Sequence, residues 1–90
     1  MAKLRTSDGK LNVIGKRITE LRQSMDLSQN DLARLLQLQG WSVHKNAISK
    51  IELGMRMVSD MELILLARVL KTAVSDLLCN EMDEEFDESV

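Results

Sequence analysis

Apolar residues recur along this chain at helical spacing, and turn-forming residues interrupt them at intervals. Ile14, Ile18, Leu21 and Met25 fall at i, i+4, i+7 and i+11, one stripe of a first helix. Asn12 precedes the stripe as an N-cap, and Asp26, which tolerates left-handed backbone better than most residues, is placed to end it. Ser28 and Asp31 then form a capping box at the head of a second helix, with Asp where Glu is usual. Leu32, Leu35 and Leu36 make its buried stripe, and Ala33 is small where a neighbouring helix must come close. Gly40 stops this helix, with Trp41 following in position for the apolar contact that accompanies such stops. A third helix is predicted from His44 to Leu53, burying Ile48 and Ile51, with Gly54 behind it.

Ser59 and Glu62 form a second capping box, opening a fourth helix that runs to Leu70. A short fifth helix is expected around Val74 to Cys79, burying Leu77 or Leu78. The fourth helix has almost no polar face beyond Glu62 and Arg68. Leu63, Leu66, Ala67 and Leu70 lie at core spacing, which leaves Met61, Ile64 and Leu65 pointing elsewhere. Either a second copy of the chain covers them, making a homodimer, or the fifth helix and the N-terminal segment do. With no repeat and no strand-like alternation, the fold class is all-α, a compact bundle of five short helices.

Composition supports that class. Hydrophobic residues are 44% of the 90, Pro is absent, and the aromatics are Trp41 and Phe86 alone. Such a core is built from Leu, Ile, Val, Met and Ala, which suits packed helices. The one cysteine, Cys79, cannot form an internal disulfide, and no signal-peptide or membrane-spanning run is present, so a cytoplasmic location is expected. The net charge of −2 hides an uneven distribution. Residues 1–80 hold all twelve Lys and Arg against eight acids, a net of +4, while Glu81, Asp83, Glu84, Glu85, Asp87 and Glu88 crowd the last ten positions. The chain thus divides into a flexible arm (1–11) carrying Lys3, Arg5 and Lys10, a folded body (12–79) and an acidic, disordered tail (80–90). The tail is read chiefly as a solvated end. A second possibility is that it docks on a basic partner protein or on the basic side of its own body.

Catalysis has little support. One His, one Cys and no Tyr leave no nucleophile–base pair, and Cys79 reads as a buried or idle thiol. His44 and Cys79 are too few ligands for a zinc site. The four glycines form no phosphate-cradling loop. No enzyme activity, metal or cofactor is expected.

Four blocks, I-G-K-R-I-T-E-L-R at 14–22, L-S-Q-N-D-L-A at 27–33, A-I-S-K-I-E-L-G at 47–54 and D-M-E-L-I-L-L-A-R-V-L at 60–70, stand in one order along the chain. Together they resemble the lambda repressor/Cro-like (Xre-type) family of helix-turn-helix DNA-binding domains, over most of residues 12–79. The resemblance implies that the second helix contacts the DNA backbone while the third enters the major groove. Carried over by position, Gln29 would contact phosphate from the start of the second helix, where the helix dipole also favours an anion. Lys45, Asn46, Ser49 and Lys50 would read bases, Lys through guanine O6 and N7 and Asn through adenine N6 and N7. Arg56 would donate to phosphate. The resemblance also implies a structural ion pair between Arg22 and Glu52.

The chain departs from the family pattern between Ala33 and the third helix, where L-L-Q-L-Q-G-W-S-V-H is longer than the usual turn. The second helix is expected to extend through Gln37 and Leu38, with Trp41 packed over the connection. His44 occupies the place where Ser or Thr usually caps the third helix. Ser42 is an alternative cap that would move the helix start by two residues. Ala73 stands where the fifth helix commonly has a Ser cap. The expected function is a sequence-specific, dimeric transcriptional repressor bound to double-stranded DNA. The alternative is an antitoxin-like or adaptor module that uses the same scaffold to bind protein.

Overall fold

Residues 4–78 and the backbone of Phe86–Asp87 are described by the structure, a computed structural model. Cys79 and the rest of the acidic segment lie outside the described residues, as do the expectations about that thiol and the tail's disorder. In chain order the elements are β1 (Arg5–Thr6), α1 (Gly15–Ser24), α2 (Gln29–Leu38), α3 (Lys45–Glu52), α4 (Asp60–Val69), α5 (Val74–Leu78) and β2 (Phe86–Asp87). The five helices are those the hydrophobic spacing predicts. The two strands are not: Phe86–Asp87 pair antiparallel with Arg5–Thr6, placing Arg5 opposite Asp87 and Thr6 opposite Phe86.

The buried core draws on every helix: Ile18 from α1, Leu32, Ala33 and Leu36 from α2, Ile48 and Ile51 from α3, Leu66 and Ala67 from α4, and Leu77 from α5. Helix α3 packs between α1 and α2, α4 lies against α2, and α5 against α4. Between α5's two candidates the core takes Leu77, while Leu78 is exposed. Val43, in the α2–α3 connection, is a core residue that no helical spacing predicts. Leu65 departs from expectation. It is half-buried and packs against the core beside Val69, so the outward face of α4 consists of Met61 and Ile64, 74% and 49% exposed.

Both capping boxes form. Ser28 accepts from the Asp31 amide and Asp31 accepts from the Ser28 amide, and the pair Ser59 and Glu62 does the same at α4. The C-termini of α1 to α4 share one closure. The residue two past each helix turns left-handed, and the amide after it reaches back to a carbonyl in the last turn. These bonds are Leu27 to Arg22, Trp41 to Leu36, Met55 to Lys50 and Thr72 to Ala67, at 3.1, 3.2, 2.8 and 3.0 Å. Asp26, Gly40, Gly54 and Lys71 hold the left-handed position.

Helix α1 begins later than its cap suggests, at Gly15 rather than directly after Asn12. The Asn12 side chain still accepts from the Ile14 and Gly15 amides, at 3.1 and 2.9 Å. Its amide nitrogen then donates to the carbonyls of Ile51 and Arg56, at 3.0 and 2.9 Å. One side chain therefore joins the start of α1 to the end of α3. Gly15 makes that approach possible, because a Cβ there would stand 2.5 Å from the Ile51 carbonyl oxygen and 2.6 Å from that of Glu52.

Residues 4–11, expected as part of a loose arm, are attached to the body. The Thr6 amide donates to the Lys10 carbonyl and the Lys10 amide to the Thr6 hydroxyl, each at 2.9 Å, the Thr6 hydroxyl bonds the Asp8 carboxylate, and the Leu11 amide donates to the Gly54 carbonyl at 2.8 Å. Among the described residues no helix is long and apolar enough to cross a membrane.

Candidate nucleic-acid interface

Helix α3 starts at Lys45 with His44 as its N-cap residue, which settles the start in favour of His44 over Ser42. The His44 side chain makes no capping bond, so the first amides of α3 are left to solvent or a ligand. Ile48 and Ile51 are buried, and Ala47 and Glu52 half-buried, on the side facing α1 and α2. Lys45, Asn46, Lys50 and Leu53 are exposed, and Ser49 is half-buried between them. At 100° per residue these five positions span an arc of about 140°. All four residues expected to read bases thus lie on one outward strip of one helix. Leu53, which extends the strip by a turn, was not singled out from the sequence. Its spacing of four from Ser49 is the signal that could have found it.

The Lys45 edge of this strip is bordered by Glu52, seven residues on and nearly in line with it. The Arg22 guanidinium donates to both of its oxygens, at 2.7 and 3.2 Å, and a third Arg22 donor reaches the Leu27 carbonyl at 2.7 Å. The side chains are 12% and 7% exposed. Gln29, the first residue of α2, donates from its side-chain amide to the same carboxylate at 3.0 Å. Burial pushes the Glu52 carboxyl up, but the hydrogen bonds from Arg22 and then Gln29 outweigh it and hold the group below the usual glutamate range. Glu52 therefore joins α1, the head of α2 and α3, and fixes the angle between α2 and α3. Gln29 has one amide proton engaged in this way. Its second proton has no acceptor among the described residues.

Arg56, expected at phosphate, is occupied differently. Its guanidinium forms a two-pronged pair with Glu62 at 2.9 and 3.0 Å, donates to the Met57 carbonyl at 3.0 Å, and lies 5.7 Å from the centre of the Trp41 ring. Because Glu62 also closes the α4 capping box, Arg56 connects the α2–α3 connection to the start of α4. Hydrogen bonds from Arg56 hold the Glu62 carboxyl low despite partial burial, and reciprocally raise the Arg56 pKa. The longer connection is held from below as well, where the Gln37 side chain donates to the Val43 carbonyl at 2.7 Å.

Beside α3, Leu11, Ala47, Lys50, Met55, Arg56 and Met57 line a shallow hollow of about 500 Å³. It is open rather than enclosed, and it holds neither a nucleophile nor a pair of carboxylates. Among the described residues no three His, Cys, Asp or Glu side chains cluster as metal ligands.

A helix-turn-helix family profile matches residues 18–77, from the middle of α1 to α5. The chain belongs to the helix-turn-helix family. Solved structures agree with this assignment. The restriction-modification controller protein C.AhdI from Aeromonas hydrophila is 31% identical, with a TM-score of 0.63 over 71% of this chain and 86% of that one. SinR, a master regulator for biofilm formation solved in complex with DNA, is 29% identical, with a TM-score of 0.65 over 74% of this chain and all of the other (100%). The hypothetical transcription factor NHTF from Neisseria has a TM-score of 0.70 over 92% of this chain and 90% of its own, and at 19% identity it speaks for the fold alone. Comparison with curated protein sequences returned no match. In this helix-turn-helix unit α2 and α3 are the paired helices, and the strip from Lys45 to Leu53 is the outward face of the second.

Proposed function

We propose that this protein is a DNA-binding transcriptional regulator whose α3 enters the major groove, acting as a homodimeric repressor on a pseudo-palindromic operator. One observation carries the reading: Lys45, Asn46 and Lys50 stand exposed together on α3 while Glu52, at the border of that strip, is held by Arg22 and Gln29. Lys45 and Lys50 donate to guanine edges, Asn46 pairs with adenine, and Ser49 adds a shorter contact from the floor of the strip. Gln29 donates its remaining amide proton to a phosphate, aided by the helix dipole of α2. Arg56 acts through its hold on the α3–α4 loop, with phosphate as a secondary partner.

A homodimer is supported by the outward apolar side chains of α4 and α5, where Met61, Ile64 and Leu78 are 74%, 49% and 47% exposed. Leu65 would contribute only at the edge of that face. Two copies related by a two-fold axis place their α3 helices in successive major grooves, with half-sites about 10 bp apart centre to centre or a multiple of that. Occupying a promoter in this way excludes polymerase. The alternative, an adaptor or antitoxin-like module, leaves the cationic strip of α3 without a use.

Selection of bound sequences from random double-stranded oligonucleotides tests the proposal. The expected product is an inverted repeat with that spacing, bound with an affinity whose logarithm falls against log salt at a slope of roughly −5 to −7 for the dimer. Failure to enrich any sequence, or enrichment that ignores salt, would count against it.

A further inference from the structure

We propose that Leu53 reads the C5-methyl group of a thymine in the operator, beside the base pair that Lys50 contacts. The inference rests on the DNA-binding reading above and deepens it, adding an apolar reader to a set that is otherwise polar. Leu53 closes α3 in helical conformation, with φ −84° and ψ −4°, and its amide bonds the Ser49 carbonyl at 3.0 Å. Continued at 100° per residue, its position falls inside the exposed arc, between those of Ser49 and Asn46, rather than at an edge. The side chain is 61% exposed and takes no part in the core.

A single exposed leucine is ordinary on a protein surface. Here the apolar surface continues. Leu53 and Met55 line one hollow with Lys10, and Met55 and Met57 line the next with Leu11, Lys50 and Arg56. Met55 has a local reason to stand there. Its amide closes the end of α3 on the Lys50 carbonyl at 2.8 Å, and an apolar contact commonly accompanies such a closure. Leu53 has no such role. Charge decides the occupant: Arg5, Lys10, Lys50 and Arg56 line the two hollows against one acid, Asp8. An apolar surface set among cations fits a polyanion that also carries apolar groups. In the major groove of DNA that group is the thymine C5-methyl.

The expected position follows from helix geometry. Leu53 lies three residues beyond Lys50, a neighbour on the helix surface, with a rise of about 4.5 Å along the axis. Successive base pairs are about 3.4 Å apart, so the thymine is expected within about two base pairs of the guanine at Lys50.

The experiment measures affinity for the selected operator with each thymine replaced in turn by deoxyuridine, which removes the methyl and keeps every hydrogen-bonding group. 5-Methylcytosine carries the same methyl, so a second series places cytosine or 5-methylcytosine at the sensitive position and separates the two sources. Both series are run with the wild-type chain, Leu53→Ala and Leu53→Met, and circular dichroism melts check that each keeps the fold. For the wild type, deoxyuridine should weaken binding about fourfold per methyl, the worth of one buried methyl group, at a thymine near the Lys50 guanine. Leu53→Ala should lose this difference, and Leu53→Met should restore it. A matching preference for 5-methylcytosine over cytosine supports a reader of any 5-methylpyrimidine; a deoxyuridine effect alone supports thymine as the sole source. Tolerance of deoxyuridine at every thymine, or an operator with no thymine within that distance, overturns the proposal and leaves the DNA reading intact. An equally large deoxyuridine effect in Leu53→Ala assigns the methyl to another side chain and overturns Leu53 as its reader. Failure to select any operator overturns the DNA reading, and this proposal with it.

Discussion

The Glu52 carboxylate accepts from Arg22 and Gln29 at once, and through them it sets where α1 and α2 stand against α3. Replacing it with Gln keeps the shape but leaves a nearly buried guanidinium without its counter-charge, so Glu52→Gln should lose about 3 kcal/mol in urea unfolding. The pH dependence has a definite sign. The folded group titrates below the ordinary glutamate range, so its contribution is complete above about pH 4.3 and is lost as pH falls through the lower, folded value. The wild-type protein should therefore lose stability below pH 4 more steeply than Glu52→Gln; parallel acid limbs would contradict this. How much of such detail is legible in sequence depends on how far the partners lie apart. Asn12 announces its capping bonds because they are two and three residues away. Its bonds to Ile51 and Arg56 span 39 and 44 residues and leave no local sign. Gly15 is equally silent, since the backbone it must admit belongs to another helix. Arg22 and Glu52 came from family resemblance, not from any spacing in the chain.

Helix ends are where element-level expectations succeed or fail. The two capping boxes are local patterns of four residues, and they were readable because donor and acceptor share one turn. Gly40 and Gly54 stop their helices as expected, and so does Asp26. Lys71 adopts φ +57° at the end of α4 without a residue type that advertises it. An exposed lysine there carries the left-handed cost that glycine avoids, so Lys71→Gly should raise stability by about 0.5–1 kcal/mol. A lower unfolding midpoint would mean that the Lys71 side chain contributes something the backbone argument omits. Arg56 belongs at this scale too. Its sequence position suits a phosphate contact, yet Glu62 reaches it first because the α4 capping box already holds that carboxylate nearby.

For the whole molecule, five helices and their core followed from period and punctuation, because each helix buries a stripe that its own sequence displays. The pairing of Arg5–Thr6 with Phe86–Asp87 did not follow. Strands of two residues have no alternation to read, and their register is set by backbone partners distant in the chain. The outward face of α4 was legible in part. Met61 and Ile64 are exposed, whereas Leu65 lies on the flank that packs against the core edge. Ile64→Asp should leave the fold intact and convert a dimer to a monomer in sedimentation equilibrium, with weaker operator binding. A wild-type protein that is monomeric at every concentration would remove the two-fold arrangement.

Whether α3 reads bases through its exposed polar strip is decided by the base preference of the wild-type protein against Lys50→Ala, scored over all single-position variants of the selected operator. The expected result is a loss of discrimination confined to one position in each half-site, worth about 1–3 kcal/mol. A uniform loss across all positions, or no loss at all, would contradict it.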